Sequence, residues 1–257
     1  MSTEVLPRLQ ASLAEVASTT RDVVRVAPFT AYLDPVRELK YLSFALPDPG
    51  TGGGEAAGAL DELRAEFTVR GRSPRVEYLQ ALAPGMGEAL EAAGWTLSEA
   101  LPVMTCTPAT LAAPAPPDGL ELSAVTAAHD DATIRAYLET IRAGFDDDEP
   151  VTRAQLEQFR ARGDWTRMAG RMDGGIVCTA QCTPPALGVV EVAAVVTLPA
   201  FRRRGLAGAV TAAVCRRAFA AGAEIAWLTA ADDGAERIYA RAGFAVAGRQ
   251  LAYDAPD

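Results

Sequence analysis

Apolar residues recur along this chain in two periods. In residues 3–20, Val5, Leu9, Leu13 and Val16 fall at helical spacing, which predicts an amphipathic helix. Residues 23–32 and 41–46 are short apolar runs that read as strands, the second stopped by Pro47 and the glycines up to Gly54. Residues 55–70 read as a helix, 75–79 as a strand, 85–93 as a helix and 101–107 as a strand. Gly94 follows the second of these helices, where a left-handed residue commonly ends one. Residues 108–118 carry four prolines and read as an extended, semi-rigid linker. The pattern then resumes with a strand over 120–125 and a helix over 126–143, with Thr126 a possible cap. An acidic loop over 144–150, a helix over 152–162 and two alternating strands, 165–172 and 176–183, follow. Asp173, Gly174 and Gly175 form the expected hairpin turn between those strands. A strand over 188–197, a long helix, a buried strand over 224–229, a further helix and a strand over 246–253 complete the chain.

The first half can be laid on the second with a shift of 149 residues and no gap. Val76 then meets Ile225, Tyr78 meets Trp227, Leu79 meets Leu228, Gly94 meets Gly243 and Trp95 meets Phe244. Internal duplication explains this agreement; the competing reading is chance similarity of two Ala-rich helix–strand units. The length of 257 residues allows one large domain or two small ones. With 49% apolar residues the chain is expected to be globular, and a net charge of −9 argues against non-specific nucleic-acid binding. Cys106, Cys178, Cys182 and Cys215 form no Cys-x-x-Cys pair and His129 is the single histidine. That argues against a metal site and reads as core thiols in a reducing compartment. With no signal peptide and no apolar run long enough to span a bilayer, a soluble cytoplasmic protein without membrane or nucleic-acid partners is expected.

The chemistry concentrates at residues 192–211. A β-branched run ends at Pro199, three arginines follow, and Gly205, Leu206, Ala207 and Gly208 open a helix. Small residues admit close backbone approach, and a helix N-terminus offers unpaired N–H groups to an anion. No Gly-Lys-Ser/Thr follows, so this is not a Walker loop, and the dinucleotide fingerprint is incomplete. The spacing Arg202-x-x-Gly205-x-Ala207 resembles the acetyl-CoA pyrophosphate loop of the GNAT superfamily of N-acyltransferases. Ala235, Ile238, Tyr239, Gly243 and Phe244 are similar to a second GNAT segment downstream, in the expected order. The family's asparagine there is Asp232 in this chain.

The resemblance implies an α/β (α+β) GNAT fold: a mixed, mostly antiparallel sheet flanked by helices, in two tandem related units. Residues 119–257 would be the acetyl-CoA-binding catalytic domain, 113–118 the linker, and 1–112 a degenerate, partial GNAT-like domain. The first copy has no counterpart of the three arginines, and Leu90 stands where the second has Tyr239. The implied activity is direct acetyl transfer from acetyl-CoA to a small-molecule or protein amine, without a metal, by a monomer or homodimer. A non-catalytic acyl-CoA-binding or regulatory module is the alternative, and O-acyl or longer-chain acyl transfer is a third reading.

Within that resemblance, backbone N–H groups of Val195, Val196 and Thr197 would line the pantetheine arm. Those around Arg203, Arg204, Gly205, Leu206, Ala207 and Gly208 would hold the pyrophosphate, with the Arg202, Arg203 and Arg204 side chains assisting. Asp232 takes the family asparagine's place in the cofactor site. Tyr239 is the expected acid for the departing sulfur; otherwise it is a packed aromatic. Glu191 is the candidate base, against an outward-facing strand glutamate or a water chain. Asp146, Asp147, Asp148 and Glu149 either attract a protonated amine or form a solvated charge run.

Overall fold

The computed structural model describes residues 5–37, 39–112, 115–145, 147 and 149–256. It divides into two compact units, Met1–Val103 with Val246–Asp257, and Met104–Ala245.

The first unit begins with α1 (Leu6–Thr20). The apolar run that reads as one strand over 23–32 is a hairpin, β1 (Asp22–Val26) and β2 (Phe29–Leu33), because Pro28 interrupts it and the chain reverses there. Strand β3 (Phe44–Pro47) pairs antiparallel with β2. The single helix read over 55–70 is two helices, α2 (Gly53–Ala57) and α3 (Leu60–Val69), parted at Gly58 and Ala59. Strand β4 (Arg75–Leu79) returns parallel to β3, and α4 (Met86–Ala92) precedes β5 (Thr96–Cys106). Phe29, Leu63, Phe67, Met86 and Leu90 anchor the core of this unit.

The second unit opens with β6 (Glu121–Ala124), α5 (Asp131–Gly144) and α6 (Arg153–Ala161). The cap of α5 is not Thr126 but Asp130, whose carboxylate accepts from the Thr133 N–H at 2.8 Å. Thr126 instead donates its N–H to His129 Nδ1 at 3.1 Å in the preceding turn. Helix α6 carries a capping box between Thr152 and Gln155. An antiparallel meander follows: β7 (Thr166–Met172), β8 (Gly175–Cys182) and β9 (Val189–Thr197). Helix α7 (Leu206–Ala220) crosses to β10 (Ile225–Thr229), which runs parallel to β9, and α8 (Asp233–Arg241) comes next. The sheet has α7 and α8 on one face, over Val190, Val192, Val210, Val214, Leu228 and Phe244. On the other face α5 and α6 close a second core around Ile134, Tyr137, Phe159 and Ala169.

The compact units do not coincide with the halves read from the sequence. The chain leaves the first unit inside β5, and Ala112 N–H donates to the Ala242 carbonyl at 3.0 Å, so part of the segment before the Pro-rich stretch packs onto the end of α8. Gly243 makes that approach possible: it has φ +95°, and a Cβ there would overlap the Thr110 carbonyl. The last strand, β11 (Ala245–Asp254), lies in the first unit, antiparallel to β4, with Leu251 opposite Tyr78. Buried Arg75 on β4 holds it there through Asp254 at 2.8 Å, and also bonds Glu77 and Glu99. Ala113 and Pro114 of the linker lie outside the described residues.

Candidate active site

Strand β9 is built to leave part of one edge open. It matches β10 only through Val189, Val190 and Glu191, and the two strands part beyond Glu191 and Trp227. On its other edge β9 stays in register with β8 as far as Thr197, but with a bulge. Thr179 faces Val196 and Gln181 faces Ala193, so Ala194 and Val195 together oppose Ala180. Ala194 takes φ +50°, and its carbonyl accepts from the buried Thr179 hydroxyl at 3.0 Å. Leu198 donates its N–H to Val177 on the β8 side. Ladder alternation therefore directs Val196 toward β8 and leaves the Val195 and Thr197 amides facing the gap. The Thr197 hydroxyl oxygen is buried with no partner among the described residues, as is the Trp227 indole nitrogen.

The turn after β9 continues the opening. Arg203 and Gly205 both have left-handed backbones, at φ +61° and +81°, with the N-cap of α7 at Gly205. No side chain caps α7, so its first-turn N–H groups and the positive end of its dipole remain available to an anion. The three arginines differ. Arg202 Nε donates to the Thr197 carbonyl at 3.1 Å, which ties the turn to the strand end. The Arg204 guanidinium lies 5.6 Å from the Phe201 ring centroid. Arg203 is exposed and makes no hydrogen bond or ion pair among the described residues. The strand edge, the turn and the uncapped helix thus offer amide donors and a free cation, the donor set that a pantetheine arm and a diphosphate need. Leu206 is buried in the core beneath, while Ala207 and Gly208 keep side-chain bulk away from the first turn.

Asp232 is the N-cap of α8, accepting from the Ala235 N–H at 2.7 Å. This is a structural task that the family's asparagine performs equally well. Tyr239, about two turns further along the same side of α8, is 9% exposed and packs against Phe244 at 6.1 Å between ring centroids. Burial, and then the Asp232 charge, pushes its phenol up to about 12. It therefore keeps its proton at any working pH and makes no hydrogen bond among the described residues. Glu191 is half-buried on β9; its backbone N–H donates to the Thr183 hydroxyl at 2.9 Å.

The remaining candidates have structural tasks. All four cysteines are buried and free. Burial pushes Cys178 up to about 11, and a hydrogen bond that the Cys215 thiol donates to Cys182, together with burial, pushes Cys215 well above the usual thiol range. In the acidic loop Asp147 pairs with Arg142 at 2.7 Å and accepts from the Glu149 N–H, while Asp146 and Asp148 lie outside the described residues. No group of residues suited to a metal and no helix long and apolar enough to cross a membrane occurs among the described residues. Thr179 and Trp227 drew no functional reading from the sequence. Both sit in apolar strands, where a hydroxyl or an indole looks like packing.

Residues 127–244 match the family described as Acetyltransferase (GNAT) family. A GCN5-related N-acetyltransferase from Kribbella flavida is 29% identical, with 100% of this chain and 97% of that one covered and a TM-score of 0.82. A GCN5-related N-acetyltransferase from Sphaerobacter thermophilus shares the fold at 20% identity, covering 88% and 76% of the two chains, with a TM-score of 0.65. A tandem GNAT protein from the clavulanic acid biosynthesis pathway does so at 16% identity, 89% and 79% coverage and a TM-score of 0.57. A comparison with curated proteins gives no match. The family match supports acyl transfer as the general chemistry. The parted strands, the bulge and the uncapped turn all lie inside residues 127–244, the segment that matches the GNAT acetyltransferase family.

Proposed function

We propose that the second unit moves an acetyl group from acetyl-CoA to an amine by direct attack within a ternary complex. The observation that carries this reading is the continuity of the open β9 edge with the uncapped start of α7, a single run of unpaired amides long enough for an extended thiol arm and its diphosphate. When bound, acetyl-CoA supplies the acetyl group as an activated thioester. The Val195 and Thr197 amides bind and orient the arm, and the Val195 N–H is also a donor for oxygen charge that develops at the acyl carbon. The first turn of α7 and Arg203 hold phosphate.

Tyr239 donates a hydrogen bond to the departing sulfur. Its phenol titrates several units above a thiol of ordinary pKa, about 8.5, so full proton transfer to sulfur is uphill and hydrogen bonding is its contribution. Glu191 takes the proton that the amine loses. We infer further that the first unit is a partial GNAT-like relative without a cofactor site.

Thiol release from acetyl-CoA, followed with and without a panel of small amines and Lys-bearing peptides, tests the reading. Release that depends on the amine, with acetylated amine recovered, is the expected result. Tight binding without turnover would point to the non-catalytic module, and no binding would sink both. Thioesters of longer acyl chains, run in parallel, define the donor.

A further inference from the structure

A buried donor without a partner is uncommon in a folded protein, because it has given up its bonds to water and gained nothing in exchange. Trp227 carries one: the residue is 2% exposed and its indole Nε1 meets no acceptor among the described residues. On β10, Ala226, Leu228 and Ala230 enter the core under α7, so Trp227 faces the other side of the sheet. On β9, Val190 and Val192 enter that same core, so Glu191 shares the face of Trp227. The two are partners in the ladder, Trp227 opposite Glu191, and theirs is its last pair before the strands part. Indole and carboxylate therefore stand side by side at the root of the gap. Ala193, with its small side chain, is the next residue on that face before the bulge.

An indole N–H can only donate. It cannot take a proton from an amine, but it can hold an oxygen atom, and a water is small enough to reach a side chain this buried. We propose that Trp227 is a positioning residue whose Nε1–H holds the oxygen of a water between Glu191 and the acceptor amine. The proposal rests on the acetyl-transfer reading above. The water's lone pair receives a proton from the ammonium while one of its own protons passes to the Glu191 carboxylate. The balance is a neutral amine, an unchanged water and a protonated Glu191. The charged and titratable groups on this face of the sheet include Arg167 of β7 and Tyr137 of α5, both of which remain in place throughout the test.

Trp227→Phe keeps an aromatic ring at this buried position and removes the donor together with part of the ring's volume. The expected result is a kcat lower by about tenfold, with unchanged KM for acetyl-CoA. The acidic limb of the kcat/KM profile should move to higher pH, because the carboxylate loses a water-borne donor that favoured its charged form. Glu191→Gln should abolish that limb. A Trp227→Phe enzyme with the original kcat and the original limb overturns the proposal. So does a loss of rate that follows the loss of folded protein, read by thermal unfolding. A second measurement does not depend on turnover. In a proton–nitrogen spectrum of the chain's three tryptophans, the indole signal missing from Trp227→Phe identifies this residue, and cross-relaxation between it and a bound water is expected. A signal without that contact overturns the water. Failure of the unaltered protein to acetylate any amine would remove the acetyl-transfer reading and this role together; an active enzyme indifferent to Trp227→Phe would remove the role alone.

Discussion

Helices α4 and α8 close in the same way. Trp95 N–H donates to the Leu90 carbonyl at 2.9 Å and Phe244 N–H to the Tyr239 carbonyl at 3.0 Å, with Gly94 and Gly243 left-handed between them. These are the positions that a shift of 149 superposes. The helices that precede them are a different matter. Helix α7 runs for 15 residues from an uncapped, left-handed Gly205 behind three arginines. Helix α2 has 5 residues, with Glu55 in its first turn and no arginine before it. Gly53 at its start lies so close to α4 that a Cβ would stand 2.6 Å from the Gly85 carbonyl oxygen. The groove beside it, about 560 Å³, is lined by glycines, alanines and Glu88. What both units retain is what folding demands: a glycine where a helix must stop and an aromatic ring that drives into the core. What only the second unit has is the left-handed, uncapped helix start behind three arginines.

The most damaging blow to this contrast should be Gly205→Glu. The φ of +81° costs a non-glycine residue about 1–2 kcal/mol, and the carboxylate opposes a diphosphate. CoA affinity, read by calorimetry, should fall by about a hundredfold or more while circular dichroism shows the fold retained. The same titration of the unaltered chain should saturate at one CoA per chain. A second equivalent, surviving in Gly205→Glu, would mean that the first unit has kept a site.

Tyr239→Phe comes next. Loss of a hydrogen bond to the leaving sulfur should lower kcat by about tenfold, with little change in CoA affinity. The same variant carries a signature in stability. The phenol titrates near 12 in the folded protein and near 10 in an unfolded chain. Its contribution is whole below pH 10 and is lost as the pH climbs through 12, on the order of 3 kcal/mol in all. Urea midpoints of Tyr239→Phe should therefore fall less steeply across that window than those of the unaltered chain.

The smallest effect should belong to Asp232. Removing the α8 cap in Asp232→Ala should cost about 1 kcal/mol of stability, and Asp232→Asn very little. A change of CoA affinity in Asp232→Asn would show that this side chain also touches the ligand.

The strand end, turn and helix start around Pro199 were legible because their parts are local. A β-branched run, a proline, and a glycine placed to start a helix lie within one short stretch, and near-neighbour chemistry fixes their backbone. The breaks at Pro28 and Gly58 were written in the sequence too, but apolar periodicity continues across both and hides them. The partner of β11 was not legible. Alternation says which side chains of a strand are buried, not which strand it lies beside, and the Arg75–Asp254 pair that fixes it joins residues far apart in the chain. Nor was the bulge at Ala194, since nothing in its alanine and valine neighbours reveals an extra residue; the Thr179 hydroxyl that secures it comes from another strand.

Because β11 completes the sheet that β4 begins, synthesis order and assembly order diverge in this protein. On the ribosome the strands of the amino-terminal unit emerge first, yet their missing neighbour arrives only when residues 245–254 have left the exit tunnel. The opening unit must wait with one edge bare, and a cut placed in the Pro-rich segment would yield two fragments, the first of them permanently short of a strand.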